Sequence, residues 1–404
     1  MKTARTHKIV IGGLLAVIAI LLFFQLRHAF CCSGHSAPAY PALTALADSI
    51  RRQYAPDPRD DVYDIKVLQR SGQPVFKGVT TLPDAKAALL DAGRRSHPGA
   101  LDSIEVLPSA AVGEKIYGVI NVSVADTRTG ADYSAEMATQ LLLGAPVDIL
   151  QPSTYWWRIK SADGYVAWTT GSSLVRMNRE EFHRWTSAPK IIFTDACGFA
   201  YEAPEEGAQR VSDLVFGNLL KYEGERGRFY QATYPDGRTA YVPKRQSKRY
   251  EDWRASIRLT EESVVQQALQ LKGIPYVWGG TSVKGMDCSG FSKVVYLMHG
   301  IVLRRDASQQ AKTGIPVDIS NGYGNLRPGD LLFFGKKASE GKKERVRHVA
   351  IYTGDKAFIH ANGYIRINSL DPASPSYDEG NTREFIRAAR IIGAGEAEGV
   401  RLWQ

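Results

Sequence analysis

Cysteine is scarce, with four in 404 residues, and that excludes a disulfide framework. Low-complexity tracts are missing, and 37 Gly and 19 Pro are ordinary numbers that exclude a collagenous chain. Acidic residues are absent from residues 1–35, where Lys2, Arg5, Lys8 and Arg27 stand. The remainder has 47 basic against 42 acidic residues, an excess of +5 within a total of +9. So diffuse an excess argues against nucleic acid and is compatible with an anionic polymer such as a cell wall. Long hydrophobic runs are lacking except at residues 9–24. The whole chain is 44% hydrophobic and 23% charged, which excludes wholesale disorder, and its length predicts two to four domains.

The basic residues ahead of the 9–24 run make residues 1–35 an export segment whose positive end stays in the cytoplasm. The run is long for a cleaved signal core of ~7–15 residues and short for a full span of ~20. A retained anchor and a cleaved or lipidated form both stay open. Cys31-Cys32 favours lipidation, whereas His28, Ala29 and Phe30 depart from the small residues that usually precede it. The expected location is the periplasm or cell envelope.

An amphipathic helix carrying Leu46, Ile50 and Tyr54, a strand at 62–67, a second at 78–82 and a helix at 84–94 predict a small α+β segment over 43–112. An internal repeat follows at an offset of 73 residues. Leu143-Gly144 aligns with Phe216-Gly217, Trp157 with Tyr230, Asp163-Gly164 with Asp236-Gly237, and Trp168 with Tyr241. Aromatic strands around a recurring Asp-Gly turn predict two small β-barrels, at 115–180 and 188–247. Residues 249–258 are polar and read as a linker. A last α+β domain, 259–404, carries helices at 264–271 and 288–298 and strands at 330–334, 348–353 and 357–360.

The chemistry gathers in that domain. Cys288 sits where a Gly-rich loop becomes a helix, and backbone N–H groups there predict a lowered thiol pKa. A thiolate needs a base, ordinarily a His oriented by a third group. His299 lies eleven residues along the same helix, about 16 Å away, out of reach, and reads as a surface residue. His348 and His360 lie on successive strands, and an odd-numbered loop would set them directly opposite. The resulting set is Cys288 as nucleophile, His348 as base and acid, and His360 as orienting group. Singly, a Cys is usually a small core residue and a His usually structural; their joint occurrence in one domain favours catalysis. A zinc site from the same three residues lacks short ligand spacing, so neither metal nor cofactor is expected.

Tyr276-x-Trp278-Gly-Gly, Asp287-Cys288-Ser289-Gly290, Arg305-Asp306 followed by Gln309-Gln310, Arg327-Pro328-Gly329-Asp330, and His348 with His360 together resemble the NlpC/P60 cysteine peptidases over about 260–392. The upstream part is similar to the dipeptidyl-peptidase VI-like subgroup with an N-terminal α+β segment and two bacterial SH3-like (SH3b) domains. The resemblance implies a papain-like catalytic domain behind two SH3-like barrels. It also implies γ-D-glutamyl–L-diamino acid endopeptidase activity on peptidoglycan stem peptides, by a monomer. By the same resemblance Cys288, His348 and His360 are catalytic, Tyr276 and Trp278 shape the pocket, and Asp287 and Ser289 touch substrate. Glu136 and Tyr165 match residues that hold a free N-terminal L-Ala; the second repeat has Gln209 and Arg238 instead. Arg304 departs from the family's usual Pro and bears on local backbone shape. Two other readings are a wall-binding protein with an inert catalytic domain and a papain-fold amidase or acyltransferase.

Overall fold

The computed structural model describes residues 40–403. The export segment of residues 1–35, with Cys31 and Cys32, lies outside the described residues. Among the described residues, no helix is long and apolar enough to cross a membrane.

The chain forms two compact units, one of residues up to Pro56 plus Tyr63–Glu105, the other of Asp57–Val62 plus everything from Val106. In the first unit, Leu43, Ala47 and Ile50 recur at helical spacing along Pro41–Tyr54 and bury one face. They share a core with Phe76 and with Leu89 of the helix Pro83–Ser96, over a three-stranded sheet.

The second unit contains both repeats. Seven antiparallel strands between Tyr117 and Met177 form one SH3-like sheet, and seven between Lys190 and Arg249 form another. Among the described strand pairings, the two end strands of each sheet do not pair with each other. The 73-residue offset reappears in the backbone. Gly144 and Gly217 hold φ of 85° and 86°, and Gly164 and Gly237 hold 88° and 91°, in the left-handed region where a Cβ is unwelcome. The N–H of Gly144 donates to Ile120 and that of Gly217 to Phe193, again 73 apart. Residues 249–258 differ from the expected polar linker. Tyr250–Ser256 is a helix with Tyr250 and Trp253 buried against Ile192, Phe216 and Leu219. Two aromatic residues four positions or fewer apart gave this short segment an apolar face that its many charges obscured.

The rest is α+β. A six-stranded antiparallel sheet runs in the order Ile315–Val317, Phe385–Arg390, Leu331–Lys336, Arg345–Gly354, Ala357–Asn362, Tyr364–Ser369. The helix Cys288–Leu297 packs on it through a core that includes Phe291, Val295, Phe333, Val349, Ile351 and Ile359. That core fixes the nucleophile helix against the strands carrying both His residues.

Candidate active site

Cys288 opens its helix because Asp287 caps it, accepting the Gly290 N–H at 2.7 Å. Gly290 itself is required: a Cβ there would fall 1.9 Å from the Gly280 carbonyl oxygen. The Asp287 carboxylate also accepts the Gly279 N–H at 2.9 Å and the buried Arg305 guanidinium at 2.5 and 3.2 Å. Ser289 Oγ donates to Asp287 at 3.2 Å and accepts from Arg305 at 2.9 Å. Both side chains line the cavity, and their polar atoms are joined in this network. Arg305, read in the sequence only as part of a motif, is the cation that makes the network affordable in the interior.

The thiol differs from the expectation at the sequence level. Burial and the adjacent Asp287 push Cys288 up to about 12, against the pull of the Val349 N–H, Arg305 and the Ser289 N–H. The helix N-terminus is present, yet it does not outweigh a desolvated sulfur beside a carboxylate.

His348 and His360 lie on one face of the sheet but not directly opposite. A bulge between Tyr352 and Gly354 shifts the ladder so that Ile351 faces Ile359, and extending it sets Ala350 opposite His360. His348 is therefore the diagonal neighbour, with 2.8 Å between its Nε2 and His360 Nδ1. His360 Nε2 lies 3.0 Å from Asn368 Oδ1, and Asn368 Nδ2 donates to the Ser376 carbonyl at 3.1 Å. Assigned from this network, the chain of donors has one direction. His360 Nε2–H donates to Asn368, so His360 Nδ1 accepts from His348 Nε2–H. His348 Nδ1 is left with its lone pair. Asn368 was not singled out in the sequence, where nothing marks an Asn on the next strand. Burial, then the neighbouring His360 and Arg347, holds His348 down at about 3; burial holds His360 at about 4. Burial thus works against the charged form of both the thiol and the imidazole.

Cys288 and His348 line one cavity of about 880 Å³ with Glu136, Tyr165, Tyr276 and Trp278. Every residue singled out from the sequence for substrate contact reaches that cavity. Glu136, from the first SH3-like sheet, accepts the Trp278 indole N–H at 2.7 Å. Tyr165 is buried and hydrogen-bonded to Asp306, which with burial pushes its hydroxyl far above the usual phenol range. Asp306 is braced by Arg59 at 2.8 Å, and Arg59 also holds Asp57. Arg304, at the unusual position, forms an ion pair with Asp60 in place of a rigid ring. His299 is buried, not at the surface, with its Nδ1 2.8 Å from the Val295 carbonyl. Its helix end is covered rather than exposed. Among the described residues, no group of three His, Cys, Asp or Glu side chains converges as metal ligands would.

A thiol and an imidazole that line one cavity, with a second imidazole hydrogen-bonded to the first, make up the residue set of a cysteine-type peptidase. Residues 273–386 match the NlpC/P60 family and residues 127–174 match the bacterial dipeptidyl-peptidase SH3 domain. The protein carries an NlpC/P60 catalytic domain behind a bacterial SH3 domain and is a cysteine-type peptidase. It is similar to a gamma-D-glutamyl-L-lysine dipeptidyl-peptidase of Bacillus cereus, 27% identical over 73% of this chain and 87% of that one. A dipeptidyl-peptidase 6 of Lysinibacillus sphaericus is 25% identical over 64% of this chain and 93% of its own. The crystal structure of an NlpC/P60 family protein from Bacillus cereus superposes with a TM-score of 0.57 at 25% identity, covering 68% of this chain and 99% of that chain.

Proposed function

We propose that this protein is an exported endopeptidase that cleaves the γ-D-Glu–L-diamino acid bond of peptidoglycan stem peptides with a free N-terminal L-Ala. One observation carries the reading: a carboxylate from an SH3-like sheet, Glu136, stands in the same cavity as Cys288 and is fixed there by Trp278. The names of the similar proteins support the bond, and the basic, acid-free N-terminal segment supports export.

In this mechanism Cys288 Sγ attacks the γ-carbonyl carbon while its proton passes to His348 Nδ1. The two charges form together because each alone is disfavoured in the site. The Ser289 and Val349 N–H groups receive the sulfur as it ionises. His360, donating to Asn368, accepts from His348 Nε2–H and steadies the imidazolium. His348 then protonates the leaving amine, and water hydrolyses the thioester. Glu136 meets the L-Ala ammonium, which a lactyl-linked Ala in an intact strand does not have. Mass spectrometry of L-Ala-γ-D-Glu-diaminopimelate digests should show L-Ala-γ-D-Glu and free diaminopimelate. Intact sacculi cut at an equal rate would overturn the free-amine preference.

A further inference from the structure

Resting on that reading, we propose that Arg345 binds a carboxylate on the leaving diamino acid and selects for residues that present one. The groups assigned above to the acyl side come from the first SH3-like sheet and from the loops flanking Cys288. The rest of the lining includes the strand that leads into His348, the segment around Asp378 and Asn381, residues 306–308 and residues 361–363. A regular strand would turn only alternate residues toward the cavity. Here a bulge follows Phe334: His348 faces Phe334, Val346 faces Gly335, and Arg347 is the extra residue. Four consecutive residues, Arg345 to His348, therefore line the cavity. Gly335 permits the bulge, since a Cβ there would fall 2.0 Å from the Arg345 carbonyl oxygen.

Among the described residues, one guanidinium on this wall has no anionic partner, and the Asp378 carboxylate has no cationic one. Arg347 pairs with Glu384, Arg387 pairs with Glu344, and Asp378 accepts both the backbone and side-chain N–H of Asn381. Among the described residues the exposed Arg345 guanidinium makes no ion pair or side-chain hydrogen bond. A guanidinium offers two parallel donors that match a carboxylate. Diaminopimelate brings a carboxylate on its side chain as well as at its α-carbon, whereas lysine brings only the α one. The shared chemistry is a carboxylate on the leaving residue.

The test compares kcat/KM on L-Ala-γ-D-Glu-diaminopimelate with forms amidated at the side-chain or the α-carboxylate, and on the lysine tripeptide. The wild type should lose about tenfold or more on amidation at one of the two positions, the size of a charge-assisted hydrogen bond. Which position matters identifies the carboxylate. Arg345→Gln should bring the ratio of acid to amide substrate close to one. Lys343→Gln, the same charge change outside the cavity, should keep the wild-type ratio. Equal wild-type rates on all acids and amides, an unchanged ratio in Arg345→Gln, or a loss in Arg345→Gln that is the same on every substrate would overturn the inference. Failure of the wild type to cut any of the four peptides would instead overturn the activity on which it rests.

Discussion

The two SH3-like sheets share a backbone and differ in what surrounds it. Asp163 of the first is buried and ion-paired at 2.7 Å to Lys293 on the nucleophile helix. Its counterpart Asp236 pairs with Arg238 two residues away, at a more exposed site. Gln140 of the first sheet fastens Thr281 and Ser282, ahead of Cys288, at 2.9–3.0 Å. The second sheet instead buries apolar residues against Tyr250 and Trp253. Glu136 enters the cavity; Gln209, in its place, is exposed and outside it. One copy of the repeat forms a wall of the site, and the other packs on the helix that carries Tyr250 and Trp253.

The largest expected effect sets the floor for this comparison. Cys288→Ala should abolish hydrolysis with circular dichroism unchanged, since a small buried side chain is replaced by one of similar size. Turnover above roughly a tenth of wild type would point to a metal or another nucleophile, and inactivation of the wild type by a chelator would revive the zinc reading. Next comes the anchoring of the sheets. Burial alone would raise the Asp163 carboxyl, but Lys293, Ser161 and the Tyr165 N–H hold it down at about 2. Removing one partner of a buried pair costs about 3–5 kcal/mol, against about 0–1 kcal/mol for a surface pair. Asp163→Asn should therefore lower the denaturation midpoint clearly and Asp236→Asn barely; similar losses would break the distinction. Because the Asp163 pKa is depressed on folding, its contribution is present above about pH 4 and fades as pH falls toward 2.

Glu136→Ala should reduce kcat/KM on the free-amine tripeptide by about 10- to 150-fold, with Gln209→Ala near wild type. An N-acetylated tripeptide should hardly respond to Glu136→Ala; an equal loss on both substrates would remove the first sheet from recognition. The smallest effect is a displacement on the pH axis. His348 must be neutral to act, and its pKa is lowered, so activity should persist as pH falls through 6.5. The acid limb of kcat/KM should lie closer to 4 than to 6.5 and stay there in Glu136→Ala and Gln209→Ala alike. A limb near 6.5 would mean that the imidazole is solvated.

The repeat was legible because strand alternation and Asp-Gly turns are local, and 73 residues of offset survive substitution of Trp by Tyr. That Cys288 and His348 would share a cavity and His360 would meet His348 was legible because each stands near a helix start or in a strand of one domain. Asn368, Lys293 and the Arg305–Asp287 pair were not, since nothing near them in the chain marks which polar residue will face which. His299 and residues 250–256 were misread for the same reason: burial is decided by neighbours from elsewhere in the chain.

By itself the sequence determined the order of the elements, the repeat, and which residue types are available for nucleophile, base and orienting group. Hydrophobic period and turn chemistry act over a few residues, and they suffice for that. Tertiary structure decided the upward shift of the thiol, through burial beside Asp287, and the direction of the hydrogen-bond chain, through Asn368. It also decided that Glu136, 142 residues from Trp278, shares a cavity with Cys288. Desolvation and pairing depend on which surfaces meet, and that is settled only when the packed chain brings distant segments together.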